Sequence, residues 1–482
     1  MKIEPNRKSR FMSPTLCHCC QPMLQSVDRR ITHELSRRAM LAGMTASVIA
    51  GLGWAPAAQA AATPPTVFTN FQLFDGKSSS LRGGVHLLIE DAKIKDVAGG
   101  SPGAPEGAKL IDCGGHVLMP GLIDAHWHAL VAGMTLKELM SSEVDHIVRA
   151  AGAQAERTLM RGFTTLRDLG GPVFPLKKAI DAGQVVGPRI YPCGAMITTT
   201  GGHADLRPVM DLPRSPGGPL SDFERQGGAI ADSADEVRLR VREQLFLGAS
   251  QIKLVGGGGV ASPRTTLDML TFSVPELRAG VEAAADRNTY VAVHAFPPAA
   301  IKRAIDAGAQ CIEHGHLIDE PAAKLMADKG IWLSPQPFLS EEDAEPLTGQ
   351  SRINFLKLLT GTQTVYTLAR KYGIKTAFGT DLLFSRRIAD RQGLMLTHLT
   401  RWYGNADILK MATSGNAELL ALSGPRNPYP GKLGVVEPGA YADLLVVAGD
   451  PLKDITLLAA PDKNLVLIMK DGKIHKDIRA HA

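Results

Sequence analysis

The chain has 482 residues, of which 44% are hydrophobic and 21% are charged, a composition typical of a globular protein with a large core. The formal net charge is +5, but eight of the 53 Lys/Arg and three of the 48 Asp/Glu lie in residues 1–60, so the remainder has no net charge. This excludes a globally basic protein that would bind nucleic acid, and no nucleic-acid partner is expected.

Residues 1–61 are predicted to be a cleaved export signal of the twin-arginine type. Arg37 and Arg38 precede an apolar run from Met40 to Trp54, and the small residues at 58–60 are typical of a signal-peptidase site. A membrane anchor is the alternative, but the run of about 15 residues is shorter than the roughly 20 that span a bilayer. We therefore expect an exported protein, periplasmic or secreted, with no stable membrane anchor after cleavage.

Three of the six cysteines lie in this leader. The others, Cys113, Cys193 and Cys311, each lie in an apolar stretch, so we expect buried free thiols and no disulfide framework.

Short apolar runs broken by Gly and Asp predict β-strands near both ends of the remaining chain. The predicted strands are Thr66–Phe68, Val85–Ile89, His116–Met119, Ala442–Val447 and Leu465–Met469. A hairpin turn at 470–473 follows the last of them. We expect residues 62–119 and 431–482 to form the two parts of one small β-sandwich.

Residues 120–430 alternate short apolar runs with helical patterns such as Val274–Arg287, Pro298–Ala307 and Ser351–Lys371. The eight predicted strands are Gly121–Ala125, Thr164–Arg167, Arg189–Cys193, Gln251–Val255, Val291–Val293, Cys311–Glu313, Trp332–Pro335 and Lys375–Phe378. This alternation predicts an α/β fold with a (β/α)8 TIM barrel, although an open parallel sheet has the same rhythm. Residues 208–230 are predicted to be a long loop, of the kind that often shapes a substrate pocket.

Six polar residues lie at the ends of five of these strands or within them: His126, His128, Lys253, His294, His314 and Asp381. A single strand-end histidine is often only a hydrogen-bonded core residue, and a strand-end aspartate often caps a helix. A lysine inside an apolar strand is harder to explain, because an unpaired buried ammonium group is costly. In a barrel the carboxyl ends of the strands meet at one face, so we expect all six side chains to form one ring there.

This set of side chains predicts a site for two divalent metal ions, with zinc as the expected metal. His126, His128 and Asp381 would hold one ion, and His294 and His314 would hold the other. Lys253, carboxylated by CO2 to a carbamate, would bridge them. A water between two metals is hydroxide near neutral pH and would attack an amide carbonyl, and Asp381 would act as the catalytic base that passes the proton to the leaving nitrogen.

Four segments resemble the motifs of the amidohydrolase superfamily, and the similarity extends from about residue 65 to 475. They are Gly121–His128, Ile252–Lys253, Ile312–Gly315 and Gly379–Asp381. The resemblance implies a TIM barrel with a split β-sandwich and a binuclear, usually zinc, site.

Within the superfamily the chain resembles the imidazolonepropionase-like branch, which includes bacterial Xaa-Pro and Xaa-Arg/Lys dipeptidases and ochratoxin-degrading amidohydrolases. The segments that carry this resemblance are Thr199–Asp205 and Gly256–Pro263. Relatives have Gly-Gly-His-Gly-Asp in the first, so Ala204 is a departure, and the resemblance implies that His203 contacts the substrate near its carbonyl or carboxylate. Phe272 replaces a tyrosine that binds the substrate carboxylate in some dipeptidases, so dipeptidase specificity does not transfer directly.

Several alternatives stay open at this stage. His316 is an alternative ligand to His314, although the Ile-Glu-His-Gly match favours His314, and Gln336 is expected to touch the substrate. The expected substrate is a small molecule: a dipeptide, an N-acyl amino acid or an ochratoxin-like amide. The functional alternatives are a mononuclear deaminase or cyclic-amide hydrolase of the same superfamily, against which Lys253 argues, and a non-catalytic binding homologue, against which the complete ligand set argues. A homo-oligomer is also an open alternative.

Overall fold

The computed structural model describes residues 64–100, 103–207, 227–262 and 264–479. The predicted export signal and most of the predicted loop 208–230 lie outside these residues. Within the described ranges, no helix combines the length and apolar character that a membrane crossing requires.

Two sheets contain the strands from the ends of the described chain. The four-stranded sheet has the order Lys93–Gly99, Val85–Glu90, Thr66–Thr69, Lys109–Asp112. The five-stranded sheet has the order Lys473–Asp477, Leu465–Lys470, Leu444–Val447, Val117–Pro120, Gln72–Leu73. The second sheet therefore combines strands from both ends, and the predicted hairpin pairs Lys470 with Lys473.

The strand Leu444–Val447 shows why these apolar runs have no polar alternation. Leu444 and Val446 are buried in the cluster shared with the four-stranded sheet, whereas Leu445 and Val447 are buried in the large core of the middle segment. Because successive side chains of a strand point to opposite faces, a strand covered on both faces must be apolar throughout.

The middle segment forms two parallel sheets. The first has the order Leu122–Trp127, Phe163–Asp168, Arg189–Pro192. The second has the order Gly228–Ile230, Met196–Thr198, Ile252–Val255, Val291–Ala295, Cys311–His314, Trp332–Ser334. Two links connect the edges of these sheets. Ser250 N donates to Pro192 O over 2.7 Å, and Ala125 N donates to Phe378 O over 2.9 Å, close to Thr376, which bridges to Leu333 of the second sheet.

Seven of the eight predicted strands of this segment are present, with bounds shifted by at most two residues. The prediction is wrong for Lys375–Phe378, which forms a single parallel bridge between Thr376 and Leu333 instead of a strand. The irregularity has a local cause, because Phe378 N donates to the side chain of Asn416 over 3.0 Å. The loop prediction is wrong for Gly228–Ile230, a buried apolar run that pairs with Met196–Thr198.

Helices connect the parallel strands. The α-helices of the described residues are Leu136–Ser141, Val144–Met160, Phe174–Asp181, Ala234–Leu247, Val274–Ala285, Pro298–Ala307, Glu320–Asp328, Gly349–Tyr372, Arg386–Ala389, Gln392–His398, Asn405–Lys410, Asn416–Ala421 and Pro461–Asn464. Shorter turns of 3-10 helix are Glu341–Asp343, Leu399–Arg401, Gly424–Arg426 and Ile455–Ala459, and Met411–Gly415 is a π-helix. Pro298–Ala307 matches its prediction because it begins with a proline in its first turn and ends at Gly308, whose φ is +98°.

The prediction for the cysteines is confirmed. Cys113, Cys193 and Cys311 are all free and buried.

Candidate metal centre

All six predicted ligands line one cavity of about 720 Å³. Five of them are buried, and the side chain of Asp381 is 18% exposed. The ligand atoms of His126, His314 and Asp381 lie within 4.8 Å of one another. Lys253 Nζ lies 3.5 Å from His126 Nε2, and the rings of His294 and His314 are 4.3 Å apart. The structure thus brings the six residues together, as expected from their positions at the strand ends.

Each of the four histidines uses one ring nitrogen for a contact with an oxygen of a residue that is not one of the six predicted ligands. The contacts are His126 Nδ1 to Glu313 Oε2 (2.8 Å), His128 Nδ1 to Gly170 O (3.3 Å), His294 Nε2 to Gly258 O (2.7 Å) and His314 Nδ1 to Gln336 Oε1 (2.7 Å). The contacts of His128, His294 and His314 are hydrogen bonds to acceptor oxygens, and the Glu313 carboxylate beside His126 is also an acceptor, so in each ring we assign the proton to the contacting nitrogen and a lone pair to the other. Metal-binding histidines are oriented in this way by carboxylate and carbonyl acceptors.

The lone pairs of His126 and His128 face a carboxylate. His128 Nε2 lies 3.1 Å and His126 Nε2 lies 3.4 Å from Asp381 Oδ1. Asp381 Oδ1 is buried and has no hydrogen-bond partner among the described residues. Two acceptors at this distance require a cation between them, either a proton or a metal ion. A set of imidazole nitrogens and a carboxylate oxygen fits a divalent ion such as zinc.

Burial keeps most of these groups uncharged. It lowers the pKa of His126 to about 4, with Lys253 as the next contribution, and it lowers the pKa values of His294 and His314 well below the ordinary range. Burial also lowers the pKa of Lys253, against the opposing effect of Glu313 and Asp381. For Asp381 burial alone would raise the pKa, but His126 and His128 outweigh it and hold the carboxyl below its usual value. The site therefore offers neutral nitrogens on His126, His294 and His314 and one carboxylate near pH 7, whereas for His128 the contact with Asp381 outweighs burial and raises the pKa above 6.5.

Two of the six residues have a left-handed backbone. The φ angles are +74° at His314 and +51° at Asp381. This conformation costs a non-glycine residue about 1–2 kcal/mol. It is held by hydrogen bonds from Gly315 N to Ala295 O and from Asp381 N to His126 O. Such strain clusters at functional sites, and both residues line the cavity.

A buried ion pair behind His126 was missed by the sequence reasoning. Arg167 Nη2 donates to Glu313 Oε1 over 2.6 Å, and both side chains are fully buried. Glu313 Oε2 in turn contacts His126, while Arg167 Nε also donates to Ala125 O over 2.5 Å. The same signal that identified Lys253, a charged residue inside an apolar strand, was present at both positions.

His203, the predicted substrate contact, lines the cavity. Its ring stacks on His294 at 4.5 Å, and its Nδ1 lies 2.8 Å from Ser262 Oγ. A Cβ at Gly259 would lie 2.4 Å from this ring, so only glycine fits there. Ala204 has a φ of +72°, which accounts for the glycine that relatives have at this position.

Gln336 and His316 lie behind the candidate ligands and are not among the residues that line the cavity. Gln336 is fully buried, contacts His314, and its Nε2 lies 3.3 Å from His126 Nδ1. Its substrate contact stays a prediction. His316 Nε2 contacts Gln336 O over 2.9 Å, so the geometry places His314, and not His316, beside Asp381.

Comparisons with known proteins agree with this geometry. The model of the amidohydrolase family matches residues 117–475. An ochratoxinase from Aspergillus niger is 32% identical over 379 residues, which cover 75% of this chain and 76% of that protein. Among crystal structures, an amidohydrolase is 36% identical with a TM-score of 0.78, covering 86% of this chain and 99% of its own. A prolidase complexed with N-methylphosphonate-L-proline is 33% identical with a TM-score of 0.79, covering 86% of this chain and 100% of its own. These neighbours imply an α/β fold that contains a TIM barrel.

Proposed function

The chain belongs to the amidohydrolase family, and on that premise we propose that it hydrolyses the amide or peptide bond of a small molecule with two divalent metal ions, zinc being the expected metal. The candidate substrates are a dipeptide, an N-acyl amino acid and an ochratoxin-like amide. The similarity to an ochratoxinase and to a prolidase supports this choice.

The observation that carries the two-metal proposal is the position of Lys253. Its side chain lies in the cavity, 2% exposed, beside His126. A neutral lysine amine can form an N–C bond to CO2 and lose one proton, which gives a carbamate with two oxygens and no positive charge. In this arrangement His126, His128 and Asp381 would hold one ion, His294 and His314 would hold the other, and Lys253 would bridge them.

Two bound divalent ions would supply Lewis acidity and a water of depressed pKa. The protein's own groups would do the rest. Asp381, deprotonated near pH 7, would accept the proton of the attacking water and deliver it to the leaving nitrogen. Burial lowers the pKa of His203 to about 4, so its ring is neutral. Ser262 Oγ accepts from Ala204 N and can donate to His203 Nδ1, which leaves His203 Nε2–H to bind a substrate oxygen.

For the fold we propose a closed (β/α)8 barrel with a small β-sandwich formed from both chain ends. The hydrogen bonds that connect the two parallel sheets support the barrel. The five-stranded sheet with strands from both ends, and its shared cluster with the four-stranded sheet, support the sandwich.

We also propose that residues 1–61 direct export and are then removed. The support is the sequence pattern alone, namely an arginine pair, an apolar run and small residues at 58–60. N-terminal sequencing of protein recovered from the periplasm or medium tests this, and a protein retained in the cytoplasm with an intact N-terminus contradicts it.

Elemental analysis and a substrate panel test the function. We expect about two metal ions per chain, and hydrolysis of at least one dipeptide, N-acyl amino acid or ochratoxin A. Lys253→Ala should lose metal and activity together, whereas the control Lys302→Ala, whose side chain is 65% exposed, should keep both. One metal per chain with release of ammonia would instead support a deaminase, and no metal with no turnover would support a non-catalytic homologue.

A further inference from the structure

The cavity has an extended apolar surface beyond the metal ligands. We define the apolar wall as Leu130, Phe338, Phe355, Leu358, Leu382 and Phe384, all of which line the cavity. Five of them are at most 8% exposed, and Phe338 and Phe355 pack edge to face at 5.5 Å. A cavity of about 720 Å³ lies within the range of roughly 300–1,000 Å³ found for sites that enclose large organic ligands.

The apolar surface continues to the mouth of the cavity. Met140, Val144 and Val148 also line the cavity, and their exposed fractions are 46%, 60% and 44%. Large apolar side chains exposed together at the rim of a pocket are typical of a binding surface. A long apolar group could therefore remain in contact with the protein from the metal ligands to the mouth.

The wall also holds a strained residue. Phe384 has a φ of +60°, which is a genuine outlier for a bulky side chain. A hydrogen bond from Phe384 N to Val131 O over 3.1 Å holds this conformation and joins the two loops of the wall. Strained residues of this kind cluster at catalytic and ligand-binding sites.

Among the described residues that line the cavity near the apolar wall, none is a cation that would bind an anionic group. Besides the six ligands and His203, their ionisable members are Glu143, Asp343 and Glu345. Asp343 accepts hydrogen bonds from Leu339 N and from Arg391, and Glu345 is bonded to Ser385 and Arg387, so both are already satisfied. On this side of the cavity Ser262 orients His203 so that its Nε2–H can donate to an oxygen of the amino acid half, which leaves the apolar wall for the other half of the substrate.

We infer that the preferred substrate is an N-acyl amino acid whose acyl group is a large, uncharged aromatic or long aliphatic group. Dipeptides of two small residues should be poor substrates. This inference rests on the proposed function. Hydrolysis adds one water across the C–N bond, so the products are an apolar carboxylic acid and a free amino acid.

The test is a series of N-acyl-L-phenylalanines with acetyl, octanoyl and 1-naphthoyl groups, assayed with the zinc-loaded protein by release of phenylalanine. Each methylene that becomes buried should raise kcat/KM by about four-fold at most, so kcat/KM should rise at least ten-fold from the acetyl to the octanoyl compound. Phe384→Ala should lower the octanoyl-to-acetyl ratio at least three-fold. Met140→Glu, at a rim position that tolerates a charge, should do the same if Phe384→Ala does not fold.

Phe246→Ala is the matched control, because Phe246 is 90% exposed and does not line the cavity, and it should leave the ratio unchanged. If acetyl-phenylalanine and small dipeptides are hydrolysed as well as the octanoyl compound, the inference is overturned and the proposed function stands. If kcat/KM rises only when the amino acid half is enlarged, and not the acyl group, the placement of the acyl group against the apolar wall is overturned. If the metal-loaded protein hydrolyses no amide, both fail.

Discussion

Glu313→Gln tests the role of the negative charge that lies behind the candidate metal centre. Glutamine keeps the shape of the side chain and an acceptor oxygen for His126, but it leaves the Arg167 guanidinium buried without a negative partner. Burial alone would raise the pKa of Glu313, yet Arg167 and His126 hold it well below its usual range, which shows how strongly the ionised form is favoured. Breaking a fully buried ion pair by removing one partner costs about 3–5 kcal/mol. Arg167 keeps its bonds to Ala125 O and Tyr290 Oη, so we expect about 3 kcal/mol.

The same substitution should weaken metal binding. His126 would still donate to an amide oxygen, but it would lose the adjacent negative charge that makes it a stronger ligand, and such changes reduce metal affinity about 10–100-fold. The two assays are urea unfolding of the chelator-stripped protein and competition for zinc with a chromophoric chelator. Glu341→Gln is the control, since Glu341 is 49% exposed in a surface pair with Arg352, and it should change stability by about 0.5 kcal/mol or less.

A double variant separates charge from packing. Arg167→Met combined with Glu313→Gln leaves no uncompensated buried charge, so its loss of stability should be smaller than the sum of the two single losses. If Glu313→Gln unfolds at the same urea concentration as Glu341→Gln and binds zinc as tightly, the reasoning about this pair is refuted.

Three further predictions concern neighbouring residues. Ala204→Gly should raise stability by about 1 kcal/mol, because it relieves a left-handed backbone at φ +72°, and an unchanged or lower melting temperature would contradict this. His314→Asn should reduce the metal content by about one ion while His316→Asn keeps two, and the reverse result would make His316 the ligand. Burial lowers the pKa of His316 to about 4 from 6.5, so the unfolded chain takes up the proton first on acidification. The stripped protein should therefore lose stability as pH falls from about 6.5 to 4, by up to about 3 kcal/mol from this residue, and His316→Asn should show a smaller slope in melting temperature against pH.

The strands and the grouping of the six candidate ligands were predictable from the sequence for two physical reasons. Buried parallel strands require continuous apolar runs, and seven of the eight runs in the middle segment are strands. The carboxyl ends of such strands meet at one face, so residues as distant as His126 and Asp381 were expected together, and their side chains lie 3.4 Å apart. Lys253 was identifiable because an ammonium group in an apolar strand needs a reason to be there.

Only the tertiary structure decided how these side chains are oriented. Which nitrogen of each histidine faces the cavity depends on acceptors supplied by other loops, such as Gly170 O for His128 and Gly258 O for His294. The partner of Glu313 is Arg167, 146 residues away, and no local pattern pairs them. The apolar wall likewise combines loops that are distant in the chain, because a cavity is a property of packed elements and not of any one of them. Sequence alone therefore determined which groups are present at the site, and tertiary packing decided their protonation, their second contacts and the space that a substrate can occupy.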